Sequence, residues 1–173
     1  MTNTKKLTTS AICLALALLL PFVTGQIQQI GNMLCPMHLP VLLCGLLCGW
    51  PWGLAVGAMA PLLRSVLFSM PPMFPMAVSM AFELAAYGAV SGWIFQRAQG
   101  EVRDVYLALV PAMVIGRLVW GAVRYALAGL TGSEFSFTMF LSGALTTAWP
   151  GILLQLILIP PIVRALRKSR LMA

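Results

Sequence analysis

The sequence predicts an all-α protein: a bundle of six transmembrane helices with the N- and C-termini in the cytoplasm. Three observations predict it. Hydrophobic residues fill 60% of the 173 positions and charged residues only 9%, against roughly 25% charged in a soluble domain. The apolar residues gather into six runs, and a helix needs ~17–25 residues to cross a bilayer core. The basic residues outside those runs all fall on one of the two sides that alternating connections define.

The first run is Leu7–Thr24. It follows a short polar start with Lys5 and Lys6, and the stretch Pro21–Gln26 has no small-residue cleavage pattern. It is therefore expected to be retained as a helix rather than removed as a leader. The second run, Leu34–Gly49, is short and bounded by prolines. The third is Gly53–Ser69, the fourth Phe74–Phe95, the fifth Val105–Leu130 and the sixth Phe137–Val163. One set of connections contains Gly25–Met33, Met70–Met73 and Thr131–Ser136, and it carries no Lys or Arg. The other contains the N-terminus, Trp50–Trp52, Gln96–Asp104 and the C-terminal tail. It carries Lys5, Lys6, Arg97, Arg103, Arg164, Arg167, Lys168 and Arg170. Cytoplasmic connections collect Lys and Arg, so the second set is expected inside. A miscounted span would scatter these charges to both faces. The whole chain, 1–173, forms one membrane domain in this reading.

The net charge of +7 does not point to nucleic acid, because the basic residues sit at span ends or singly inside spans and form no phosphate-tracking surface. Cys13, Cys35, Cys44 and Cys48 all lie in apolar surroundings, and their spacing gives no disulfide framework. Buried, unreactive thiols are expected. Small residues four apart let membrane helices approach closely. Ala11/Ala15, Gly45/Gly49, Gly53/Gly57 and Gly88/Gly92 have that spacing, and packing within the bundle accounts for most of them.

Charges inside a membrane cost at least ~2.5–3.5 kcal/mol each on insertion scales, so Arg64, Glu83, Arg117 and Arg124 are functional candidates. At ~1.5 Å per residue, Arg64, Glu83 and Arg124 lie ~8–14 Å below the outer surface. Arg117 and Arg124 are nearly two helical turns apart and share a face, with Trp120 and Gly121 between them. Thr146, Thr147 and Trp149 of the sixth run reach a similar depth. A polar chamber open to the outside is expected. Arg64 is expected to pair with Glu83, which leaves Arg117 and Arg124 for an anionic group of a ligand with a flat or apolar part. Asn32 and His38 border the chamber at the outer entry to the second helix. His38 is the only histidine, and no ligand set accompanies it, so no metal is expected. Neither nucleophile–base pair nor phosphate loop is present. No enzyme and no cofactor are expected.

These features resemble the substrate-binding S-components of energy-coupling factor (ECF) transporters. The likeness rests on length, span number and several stretches. These are Ala11–Ala15, Met37–Gly45, Gly53–Gly57, Pro61–Ser65 and Met80–Gly88. The resemblance implies a prokaryotic plasma-membrane protein that captures a vitamin or cofactor precursor in its outer half. It implies that Ala11 and Ala15 pack on a transmembrane coupling subunit, with two ATPase subunits supplying the energy. The competing reading is a stand-alone secondary transporter of a small organic anion. The chain lacks the inverted repeats and broken midplane helices that would favour it.

Overall fold

The computed structural model describes residues 2–24, 36–98, 101–132, 136–143 and 148–168. Every regular element among them is helical. Helix α1 is Asn3–Thr24, α2 His38–Cys48, α3 Trp50–Phe68, α4 Val78–Arg97, α5 Val102–Thr131, α6 Phe137–Leu141 and α7 Trp149–Lys168. Five helices are long and apolar enough to cross a membrane: α1, α3, α4 with the turn before it, α5 and α7. The multi-pass membrane character read from composition therefore holds.

Two expected spans differ in detail. Helix α2 has 11 described residues, ~16 Å at 1.5 Å per residue, about half of a bilayer core. Two described helices, α6 and α7, begin within the sixth run, and Thr146 and Thr147 between them lie outside the described residues.

Local chemistry sets the helix ends. Gly49 joins α2 to α3 at φ 99°, ψ 172°, a backbone conformation open to glycine because it has no Cβ. Pro51 enters α3 in its first turn, where its missing N–H costs nothing. A kinked turn, Met73–Ala77, with Phe74 extended at φ −121°, ψ 133°, leads into α4. At the other end of the bundle, Glu101 and Asp104 cap α5 reciprocally, with the Glu101 amide donating to Asp104 Oδ2 at 2.8 Å. That box satisfies donors that the first helical turn leaves exposed.

Helices α2 and α4 form the spine of the bundle. One core cluster joins Leu42, Tyr87, Leu109 and Ile159 from α2, α4, α5 and α7. The second joins Ala17, Val41, Ala60 and Leu84 from α1, α2, α3 and α4. Glycine makes the closest approach possible. A Cβ on Gly53 would stand 2.6 Å from the Gly88 carbonyl oxygen, and one on Gly92 would stand 2.7 Å from the Gly45 carbonyl oxygen. Small residues four apart thus seal α2, α3 and α4 backbone to backbone, as expected for these glycines. Ala11 and Ala15 behave differently: both are exposed, while Cys13 and Ala17 on the opposite face of α1 are buried.

Candidate functional site

Counted from the end of the bundle that holds the Gly49 turn and the α4–α5 connection, Arg64, Glu83 and Arg117 stand 14 or 15 residues along their helices. At 1.5 Å per residue this places all three ~21–23 Å from that end. They share a layer in which the sequence placed Arg124 rather than Arg117, and they do not pair as expected. Glu83 is 1% exposed, and its Oε1 stands 3.0 Å from the Arg117 NH1 and 3.4 Å from His38 Nε2. Arg117, not Arg64, is its ion-pair partner. The long arginine reaches across from α5, and His38 closes the cluster from the first residue of α2. This corrects the assignment of Arg117 to a ligand anion: its charge is already balanced by Glu83.

Arg64 turns the other way. Its NH1 donates to the Leu18 carbonyl at 2.7 Å, and its guanidinium lies over Phe22 and Phe68, 4.8 and 5.8 Å from the ring centroids. The two rings meet edge to face. A backbone carbonyl has two lone pairs, so the Leu18 oxygen can accept from Arg64 as well as from its own helix. Arg64 therefore clamps α1 to α3, and its role is cation–π and hydrogen bonding rather than charge pairing.

The remaining candidates separate. Arg124 is half-buried on α5, two turns beyond Arg117. Trp120 stacks on Phe140 of α6, with centroids 6.2 Å apart, and so holds α6 against α5. Trp149 starts α7 and is 55% exposed, so it does not wall the buried cluster. Asn32, Thr146 and Thr147 lie outside the described residues. Sequence reasoning missed Tyr87. It is 1% exposed and meets the His38 ring edge to face at 5.0 Å. Its spacing of four from Glu83 puts both on one face of α4, which was the available signal. Cys13, Cys44 and Cys48 are buried free thiols, as expected. Cys44 donates to Ser10 Oγ at 3.5 Å.

A buried carboxylate, guanidinium and imidazole among apolar, membrane-spanning helices is the kind of polar site that bilayer energetics reserve for function. The family model described as ECF transporter, substrate-specific component, matches residues 5–163. The chain belongs to that family. Searches of curated proteins and of solved structures gave no match. As a substrate-specific component of an ECF transporter, the chain is a binding subunit of an importer and not an enzyme. Its work requires a small-molecule substrate and the coupling and ATPase module of that transporter class, within a membrane.

Proposed function

We propose that this S-component captures a vitamin or cofactor precursor from outside a prokaryotic cell and delivers it through a coupling subunit driven by two ATPase subunits. The observation that carries the site is the Arg117–Glu83–His38 cluster. It is a buried cluster of ionisable side chains, and it joins α5 to α4 and α2. Arg124 and Trp120 carry the site along α5 to its rim in this reading. Six spans with both termini in the cytoplasm put that rim outside.

Ala11 and Ala15 supply the docking face. They are exposed on α1 while Cys13 and Ala17 face the bundle, so a partner helix can approach closely there. Ala11→Trp and Ala15→Trp are expected to abolish uptake and to leave substrate binding by the isolated subunit unchanged. Vesicles reconstituted with this chain alone, and with the coupling and ATPase subunits added, test both points. Uptake is expected only in the second case and only with ATP. Concentration of a solute by the chain alone would favour the secondary-transporter reading. Equal loss of binding and uptake in the Trp variants would place the alanine face inside the bundle.

A further inference from the structure

The buried cluster is balanced in charge but not in hydrogen bonding. Both contacts of Glu83 fall on one oxygen, Oε1, which leaves Oε2 outside the pair. His38 is 3% exposed, and its Nδ1 is buried with no hydrogen-bond partner. A carboxylate only accepts hydrogen bonds, so the imidazole proton belongs on Nε2, against Oε1. That tautomer gives the cluster a net charge of zero, with Arg117 offsetting Glu83. A second imidazole proton would place two cations on one buried carboxylate. Nδ1 therefore presents a lone pair. A buried acceptor without a donor is costly, and Glu83 Oε2, an acceptor outside the ion pair, lies on the adjoining side chain. Neither welcomes an anion. The guanidinium that would have drawn one is committed to Glu83.

We propose that the captured molecule is recognised at this cluster through hydrogen-bond donors. It is a small heterocycle bearing amino or amide N–H groups, which it gives to Glu83 Oε2 and His38 Nδ1. The assignment rests on the binding-subunit reading above and names its substrate class. Tyr87, edge-on to the imidazole, and Arg117, bonded to Glu83, are positioning residues: they hold the two acceptors in place. Arg124, two turns outward on α5, is the remaining cation on that face and lies apart from the acceptor pair.

The single histidine makes the test direct. In purified protein labelled with nitrogen-15 histidine, two imidazole nitrogen signals report both the tautomer and any new bond to Nδ1. The probes are matched by ring: nicotinamide against nicotinate, and pyridoxamine against 4-pyridoxate, with thiamine as a further amino-bearing member. The resting protein is expected to show Nδ1 unprotonated. At least one N–H-bearing probe should bind and shift the Nδ1 signal, and its carboxylate counterpart should bind at least about tenfold more weakly. His38→Phe keeps an aromatic ring against Tyr87 and should weaken that probe about ten- to a hundredfold, the loss of a hydrogen bond between charged or polar groups, at an unchanged unfolding temperature. A protonated resting Nδ1, binding that leaves Nδ1 unmoved, preference for the carboxylates, no binding by either set, or full affinity in His38→Phe would each overturn the proposal. Failure of the binding-subunit reading shows elsewhere, as uptake that ignores the coupling and ATPase subunits.

Discussion

The four charges inside the apolar runs were visible from residue identity alone, and the fixed rise of a helix put Arg64 and Glu83 at one depth, but it set Arg117 too deep. Their partners were not visible. Arg64 and Arg117 stand in one layer, and both can reach Glu83 in principle. The choice is made by helix rotation and by the Leu18 carbonyl and the Phe22 and Phe68 rings that meet Arg64, none of which a linear pattern encodes. The outcome changes what substitutions should do. Glu83→Gln leaves Arg117 with an uncompensated buried charge, which costs about 3–5 kcal/mol. Adding Arg117→Gln should recover part of that loss, whereas adding Arg64→Gln should lower stability further. Thermal unfolding of the single and double variants in one detergent separates the two pairings. Recovery with Arg64→Gln would restore the pair expected from sequence.

Helix packing was legible wherever it depends on small residues at a fixed spacing, and illegible where it depends on a break in an apolar run. The glycines of α2, α3 and α4 meet as their spacing foretold. Within Phe137–Val163 the interruptions are Ser142-Gly143, Thr146-Thr147 and Pro150-Gly151, which an averaged hydropathy passes over. The glycine seam makes a sharp prediction at this scale. A Cβ on Gly88 would run into the Gly53 backbone, while a Cβ on Gly129 of α5 meets nothing within 4 Å. Overpacking typically costs 1–3 kcal/mol, and more where backbone must yield. Gly88→Ala should therefore lower the unfolding temperature and the folded yield by at least about that energy. Gly129→Ala should be neutral or slightly stabilising, since alanine is the better helix former. Equal behaviour of the two variants would mean that α3 and α4 do not touch through backbone.

The molecule as a whole was the most legible level. Composition alone required lipid as solvent, and five spanning helices answer that requirement. Orientation rests on the distribution of Lys and Arg. Single cysteines placed at Arg97, Lys168 and Met70, in a background without the native thiols, test it with an impermeant reagent on intact cells. Position 70 is expected to react from outside, and 97 and 168 only after the membrane is opened. Reaction at 97 in intact cells would overturn the six-span arrangement with both ends inside.

The contact of Gly53 with Gly88 also has a mechanical side. Packed side chains can absorb sliding by hopping between rotamers, but two backbones in direct contact have nothing between them that can yield. The three glycine-sealed helices therefore behave as one stiff plate, and α2 and α4 cannot shear past each other to admit a solute. Longer side chains fasten the neighbours of this plate: Arg64 with Phe22 and Phe68 clamps α1 to it, and Arg117 of α5 meets Glu83 on it. That ion pair is a rivet between α5 and the plate.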